Sequence, residues 1–401
     1  MGTAAASLLL VATVDSCGRG DTKSGGQVGT PTPSGTTSAT TTSPGSGTPT
    51  TADTTSSPAG PNAGDGYRSI INTEVVDNPK LDKFEQATKG RRAKTGLPGA
   101  SLLVIQPGKV VQQEAWGQYT IETAVPITSG SKWLSAAPIL TPVDEGEIDL
   151  DKPISTYLDF TNSDVGAINM RQLLSFTSGL PDDDSIPCTK DGTITLEACN
   201  REIGQLVIHT PGEAFRYGGL HLHLAAGVAE GVTGKTFAEL FAERLTGPLG
   251  MTQTVFLESK FRVANGLAKH PSPAGTGVSS LGDYGKFLEM ISHEGLAPSG
   301  TRILRAETVA EMQKNQIEGT RYAKAAAFRM DEKNPYGLGN WLHRADAEAM
   351  PSSCPAMVRS GSGRGSTSRT ASWASTWWRT AAAEMSRTTP TRRPTTGARS
   401  T

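Results

Sequence analysis

A predicted β-hairpin near residue 100 is the sequence feature that most constrains the fold. Residues 97–99, Leu-Pro-Gly, are typical of a turn, and an apolar run over residues 100–106 follows them. Pro107 and Gly108 predict a hairpin turn, and residues 109–116 predict the returning strand. A helix is predicted before the hairpin, over residues 82–94. A second helix is predicted to begin after it, near Ser129, and to end at the Asp-Glu-Gly of residues 144–146.

Ser129 and Lys132 stand in S-x-x-K spacing at the head of that second helix. Because three residues are slightly less than one helical turn, the two side chains share a face of the helix and can meet. A lysine held there can take the proton from the serine hydroxyl, which turns a poor nucleophile into a useful one. Lys132 is the only lysine with a serine three positions before it. The pair is therefore a candidate for nucleophilic catalysis.

The composition excludes several classes of function. The formal net charge is −1, so there is no electrostatic basis for binding nucleic acid or an acidic membrane surface. No cluster of cysteine and histidine has metal-ligand spacing, and no glycine-rich phosphate loop follows a strand. We therefore expect no metal, no other cofactor and no nucleic-acid partner. The six histidines are scattered, and we interpret each as a surface or packing residue.

The N-terminal residues are typical of an exported protein. Residues 4–12 form an apolar run that is too short to span a bilayer but suits the core of an export signal. Cys17 follows this run and resembles the lipidated cysteine of bacterial lipoproteins. No basic residue precedes the run, which a start codon assigned too late would explain. We predict export to the cell envelope, either as a lipoprotein anchored through Cys17 or in secreted form.

Two further features fit this localisation. Residues 18–66 are dominated by Thr, Ser, Gly and Pro, and such a segment cannot bury enough apolar surface to offset its ordering entropy, so a flexible tether is expected. Cys188 and Cys199 are eleven positions apart in a polar region. They are disulfide candidates in an exported protein, whereas in a cytosolic protein they would be ordinary thiols.

Several landmarks follow the S-x-x-K pair in a fixed order. The segments that form this series are residues 176–181 (Phe-Thr-Ser-Gly-Leu-Pro), 210–219 (Thr-Pro-Gly-Glu-Ala-Phe-Arg-Tyr-Gly-Gly), 248–251 (Pro-Leu-Gly-Met), 277–281 (Gly-Val-Ser-Ser-Leu) and 336–341 (Tyr-Gly-Leu-Gly-Asn-Trp). Amphipathic helices are predicted over residues 220–231 and 237–245, and a late strand is predicted to begin at residues 336–341. Together these landmarks resemble the serine β-lactamase and penicillin-recognising superfamily. The nearest branch is the class C-like one of esterases, β-lactamases and D-alanyl-D-alanine carboxypeptidases.

The resemblance covers residues 97–341 and implies both a fold and a set of roles. The implied fold is mixed α+β, an antiparallel sheet flanked by helices plus an all-helical lobe, with the site between them. The family's S-x-x-K carries nucleophile and base, which places these roles on Ser129 and Lys132. Its second motif, Y-x-N, places a proton-relaying tyrosine on Tyr217. The third residue of that motif is Gly219 here, so the side-chain amide that could hold the lysine or a substrate carbonyl is missing.

The C-terminal residues break the family pattern. The third motif, K-T-G or H-x-G on a strand, should follow Trp341, but residues 351–401 contain no Leu, Ile, Phe, Tyr, Asp or Lys. No strand pattern is visible there, and we do not expect residues 359–361, Arg-Ser-Gly, to stand in for the motif. Back-translation of residues 350–385 and reading from the third base of each codon gives a glycine-rich turn, two strand-like runs and an Asn-Gly hairpin signal. We therefore hypothesise a one- or two-base insertion or deletion between about residues 343 and 352, and an intact frame on resequencing the gene would contradict it.

This hypothesis has structural consequences. Without the late strands, the predicted hairpin loses its partners and the oxyanion site loses one donor, so the chain is expected to fold poorly and to be weakly active or inactive. Pro138 and Pro142 fall within the nucleophile helix, at a cost of roughly 3 kcal/mol each in a helix interior. We expect the helix to kink or to end early.

The predicted organisation is an export signal over residues 1–17, a tether over 18–66, a β-lactamase-related domain over 67–350 and an aberrant tail over 351–401. The predicted function is an exported, monomeric serine hydrolase that cleaves an ester, a β-lactam or a peptidoglycan peptide through an acyl-enzyme on Ser129. The alternative is a catalytically dead envelope protein that only binds peptidoglycan-type ligands. The membrane is a partner only through the lipid anchor.

Overall fold

The structure is a computed structural model of the chain. The residues that it describes are 7–13, 66–69, 71, 86, 99–106, 109–160, 162–181, 186–191, 193–206, 208–257, 271–324, 335–342 and 357–360. Cys17 and nearly all of the predicted tether and of the helix predicted over residues 82–94 lie outside these ranges. In the part of the chain that the structure describes, no helix is long and apolar enough to cross a membrane.

The described part of the chain contains both strands and helices, with four strands before the first long helix. The strands are β1 (Ser7–Thr13), β2 (Gly99–Gln106), β3 (Lys109–Gly117), β4 (Val125–Pro126), β5 (Ala214–Arg216), β6 (Val255–Phe256), β7 (Gly277–Ser279), β8 (Arg321–Lys324) and β9 (Met357–Ser360). The helices are α1 (Ser131–Asp144), α2 (Ser163–Gly166), α3 (Met170–Leu174), α4 (Leu196–Ile203), α5 (Leu220–Thr233), α6 (Phe237–Phe241), α7 (Gly247–Leu249), α8 (Leu281–Ser292) and α9 (Ala306–Met312). The mixed α+β class is as predicted.

The largest sheet has the strand order β3-β2-β1-β9. Its β2–β3 pair is antiparallel, from Gly99 opposite Gly117 to Gln106 opposite Lys109, which confirms the predicted hairpin. Strand β1 pairs in parallel with the other edge of β2. Residues 102–104 of β2 are almost completely buried, as expected for a strand with a partner on each side.

Strand β9 corrects one expectation. No strand was predicted between residues 351 and 401, yet Met357–Ser360 pairs antiparallel with β1, and β1 itself fills the edge of β2 that was expected to lack a partner. The prediction was based on the scarcity of apolar residues, but a sheet is held by main-chain hydrogen bonds that nearly any residue can make. Four residues are therefore enough to form strand β9. The export role predicted for residues 4–12 stays a prediction.

Helix α1 runs through both of its prolines, so the expected early end is wrong. It continues for 14 residues, and Glu145 N–H still donates to Thr141 O at 3.0 Å. Leu134, Ile139 and Leu140 are completely buried on this helix. Burying each such side chain contributes roughly 1.5–3 kcal/mol, which offsets the cost of the prolines.

Two small sheets and a buried helix surround α1. Strands β4, β7 and β6 form one sheet, and β5 pairs in parallel with β8 in the other. Helix α5, predicted to be amphipathic, is buried on all sides from Leu220 to Ala229, because α1, α3 and α4 pack around it. Tyr336 and Trp341 do not begin a strand as predicted. They pair with each other across a turn.

The predicted disulfide between Cys188 and Cys199 is present. Their Cα atoms are 5.2 Å apart, and both side chains are buried. Cys188 lies in a helical turn (Pro187–Lys190) and Cys199 in α4, so the bond fastens this turn to the helical lobe.

A partly buried carboxyl near the end of α5 is expected to make stability depend on pH. Glu230 accepts a hydrogen bond from Phe237 N–H at 2.6 Å. Burial raises its pKa to about 7, with further raising by Glu197 and Glu239, although the hydrogen bond from Phe237 lowers it. Because the folded-state pKa lies above that of the unfolded chain, this group favours folding at low pH, and the benefit is lost as the pH rises through about 7.

The Glu230→Gln variant is expected to be more stable than the parent protein at pH 8, by roughly 1–3 kcal/mol, and equally stable at pH 4.5. Glutamine keeps the acceptor for Phe237 and carries no charge to bury. Urea unfolding at the two pH values measures the difference. Glu202→Gln, on the exposed side of α4, is the control and should change neither value. Equal destabilisation of Glu230→Gln at both pH values would contradict the expectation.

Candidate active site

A tight turn presents Ser129 directly before α1. Thr128–Gly130 forms one helical turn, and Thr128 has a φ of 47°, a left-handed conformation that costs a non-glycine residue about 1–3 kcal/mol. Two hydrogen bonds hold the turn in place. Ile127 N–H donates to Gly277 O at 2.9 Å, and the hydroxyl of Tyr284 donates to Gly130 O at 3.1 Å.

Tyr284 is suited to donate this hydrogen bond to Gly130 O because its side chain is completely buried. Burial raises the pKa of its hydroxyl well above the usual value, so the group stays protonated and remains a donor. It lies on α8, more than 150 residues after Gly130 in the chain. The turn that carries Ser129 is therefore fastened to a second helix.

Lys132 lies one turn into the same helical stretch and is 6% exposed. Its Nζ is 3.4 Å from Ser129 Oγ and donates a 2.7 Å hydrogen bond to Ala274 O. The contact with Ser129 is longer than an ordinary hydrogen bond, as catalytic contacts often are before substrate binds. The predicted pair is thus together, with Lys132 held on its far side by a main-chain carbonyl.

Tyr217 completes the group. It follows β5, and Lys132 Nζ lies 4.9 Å from the centre of its ring. The ring stacks on Trp341, with centres 5.3 Å apart, and meets the edge of Phe176 at 5.5 Å. Cation–π contact and ring stacking fix the plane of Tyr217 beside the lysine.

Gly219 lies at the N-cap of α5. Its carbonyl accepts hydrogen bonds from Leu222 N–H at 3.0 Å and from His223 N–H at 3.2 Å, and it lies 3.0 Å from His223 Nδ1. His223 and His221 are both buried, in agreement with the packing role predicted for histidine. With no side chain of its own, Gly219 gives Lys132 no acceptor.

Sequence reasoning assigned roles to three residues of this group. It did not identify Ala274 and Tyr284, which contact the lysine and the turn. Gly277 and Trp341 lie in two of the landmark segments, but no role beside the turn or the tyrosine was predicted for them. Ala274 acts through its main chain, so its side chain gives no signal. Gly277 does give a sequence signal, because a glycine at the start of a strand suggests close approach of another part of the chain. An added Cβ there would lie 2.6 Å from Ser131 Oγ.

The described residues contain no group of three or more His, Cys, Asp or Glu that could hold a metal ion. The chemistry present is that of a hydroxyl, an amine and a phenol. Strand β9 lies beside the turn Thr128–Gly130, so a second main-chain element approaches the turn that carries Ser129. Such an arrangement suits attack on a carbonyl and stabilisation of the resulting oxyanion.

Known proteins share this architecture. A solved structure of a provisionally named beta-lactamase from Bacteroides dorei DSM 17855 is 33% identical, with a TM-score of 0.58 and coverage of 65% of this chain and 79% of that one. D-aminopeptidase from Brucella anthropi is 26% identical over 275 residues, which is 63% of this chain and 50% of that protein. Protein flp from Staphylococcus aureus (strain NCTC 8325 / PS 47) is 26% identical over 182 residues, 41% of this chain and 36% of that protein.

The chain thus spans half or less of the length of these two curated relatives. Residues 84–378 match the family described as Beta-lactamase. This match covers more than half of the chain and extends past residue 350, where the β-lactamase-related domain was predicted to end. The chain belongs to the beta-lactamase family.

Proposed function

We propose that this protein is an exported serine hydrolase that cleaves an ester or amide through an acyl-enzyme on Ser129. The observation that carries the proposal is the placement of Lys132, with Nζ 3.4 Å from Ser129 Oγ and 4.9 Å from the ring centre of Tyr217. In its neutral form Lys132 takes the proton of Ser129 as the hydroxyl attacks a carbonyl. Tyr217 relays that proton to the leaving group.

Two main-chain donors are assigned to the oxyanion in this proposal. One is the N–H of Ser129, and the other belongs to β9 (Met357–Ser360), which lies beside the nucleophile turn. Loss of one such donor typically costs about 10²–10³ in rate. Water then hydrolyses the acyl-enzyme, with the lysine and tyrosine acting in the reverse sense.

The substrate class follows from the relatives and from Gly219. The relative named D-aminopeptidase supports a small amide or peptide substrate. The missing amide at Gly219 favours esters over β-lactams, because an ester leaving group needs less assistance. The buried Cys188–Cys199 disulfide supports export, since such bonds persist in oxidising compartments. The lipid anchor at Cys17 and the monomeric state remain predictions.

Covalent labelling tests this proposal. The full chain is incubated with a fluorophosphonate and, separately, with a fluorescent penicillin, and the labelled peptide is located by mass spectrometry. A label on Ser129 is expected. A label on another residue instead would show that Ser129 is not the nucleophile, and binding of the penicillin without any covalent attachment would support the non-catalytic binding protein. A parallel assay of the frame-corrected chain shows whether residues 351–401 limit the reaction.

A further inference from the structure

Residue 219 is a glycine where the family motif has an asparagine, so another group must hold Lys132. A lysine side chain has four rotatable bonds, and its amine must keep one direction to receive a proton from Ser129. The structure gives it one short, buried hydrogen bond, to Ala274 O at 2.7 Å. The direction of the amine is therefore set by the position of one peptide carbonyl.

That carbonyl belongs to a segment that α1 binds with three polar side chains. Ser131, Lys132 and Ser135 are all buried and contact residues 273–277. Ser135 Oγ donates to Pro273 O at 2.7 Å, and Ser131 Oγ accepts from Gly277 N–H at 3.0 Å. Because these helix positions lie one turn apart or less, they form one polar face toward the segment.

The two carbonyls that α1 binds are consecutive. Pro273 O is fixed by Ser135, and Ala274 O is the acceptor of Lys132. Since peptide units are planar, only the φ and ψ torsions of Ala274 separate the two carbonyls, so fixing the first limits the directions that the second can take. Gly275 and Thr276 continue the segment in a turn, with both N–H groups directed to Ser272 O. Ser135 thus acts on Lys132 through one residue of main chain.

We propose that Ser135 is a positioning residue for the base: its hydroxyl holds the Pro273–Ala274 segment so that the Ala274 carbonyl orients Lys132 where the side-chain amide is missing. This inference rests on the proposed function of Lys132 as the base. Ser135 does not contact the reacting atoms. Its effect on rate passes entirely through the direction of the Lys132 amine.

The test is a double-mutant cycle on the rate of fluorophosphonate labelling, measured with the full chain. Ser135→Ala is expected to label about 10- to 100-fold more slowly, since a displacement on the order of 1 Å at a reacting group has that effect. Lys132→Ala is expected to slow labelling about 10²- to 10⁴-fold. In the Lys132→Ala background, Ser135→Ala should have no further effect beyond about twofold, because the group it positions is gone.

Thr141→Val is the matched control. Thr141 is buried on the same helix and its hydroxyl donates to Pro138 O at 2.9 Å, so the variant also removes a buried hydroxyl and its hydrogen bond. It lies away from residues 273–277 and is expected to label within about twofold of the parent. Ser135→Cys keeps a weak donor of similar size and should fall between Ser135→Ala and the parent. Thermal midpoints of all variants show that each is folded.

The outcomes test the positioning role of Ser135 and the proposed role of Lys132 as the base separately. Labelling of Ser135→Ala at the parent rate, or equal slowing by Ser135→Ala with and without Lys132, would overturn the positioning role. If Lys132→Ala itself labels at the parent rate, the proposed function of the lysine is wrong, and the positioning role falls with it. A slow Ser135→Ala combined with a fast Thr141→Val and no additional loss beside Lys132→Ala establishes the role.

Discussion

The Ser129→Ala variant is expected to lose covalent labelling completely and to hydrolyse an activated ester roughly 10⁴- to 10⁶-fold more slowly than the parent protein. Ser129 Oγ is a hydroxyl within reach of Lys132 Nζ, at 3.4 Å, whereas the carbonyl of Ala274, at 2.7 Å from the same atom, cannot act as a nucleophile. Stopped-flow or steady-state hydrolysis of a nitrophenyl ester measures the loss.

Two further variants are compared with Ser129→Ala. Ser155→Ala removes an exposed serine hydroxyl from the helical turn Ile154–Thr156 and should retain the parent rate. Tyr217→Phe keeps the ring that stacks on Trp341 and removes only the hydroxyl, so it should lower the rate by about 10²- to 10⁴-fold. If Ser129→Ala hydrolyses the ester as fast as the parent, the acyl-enzyme mechanism is wrong.

Removal of the disulfide is expected to have the largest effect on stability. The Cys188→Ser/Cys199→Ser double variant should lose about 2–4 kcal/mol of unfolding free energy, because the bond closes a loop of eleven residues in the unfolded chain. Both positions are buried, so the introduced hydroxyls add a desolvation cost. Urea unfolding measures the change at a fixed pH.

A reducing agent gives an independent check of that expectation. It should lower the stability of the parent protein to nearly that of the double variant, and it should leave the double variant unchanged. Cys354→Ser is the control, since its cysteine is not part of this bond, and it should respond to reductant as the parent does. An unchanged free energy of unfolding for the reduced parent would show that the disulfide contributes nothing.

Local patterns predicted the local structure well. The hairpin was confirmed because apolar runs, a turn dipeptide and strand length all lie within about 20 adjacent residues. The effect of Pro138 and Pro142 was predicted wrongly, because the penalty is local whereas the compensating burial of Leu134 and Ile139 comes from distant elements. Strand β9 was missed for a related reason, since its pairing depends on β1, which is far away in the chain.

The residues of the site show the same contrast between local signals and contacts that only the fold determines. Ser129, Lys132 and Tyr217 carry their chemistry in side chains, so a motif can identify them. Ala274 contributes a carbonyl that every residue possesses, and only the fold determines which carbonyl reaches the lysine. A late strand was predicted to begin at residues 336–341, whereas Tyr336 and Trp341 pair with each other and their rings are in edge contact, which closes the segment into a turn.

The bond between Lys132 and Ala274 also bears on how the protein is made. Its two ends are 142 residues apart, so it is a contact of high sequence separation that forms only after most of the domain has been synthesised. A ribosome-bound chain that ends before residue 271 would already contain Ser129, Lys132 and Tyr217. It would lack the carbonyl that orients the amine. On the proposed mechanism, the nascent chain therefore becomes active only after its second half has docked.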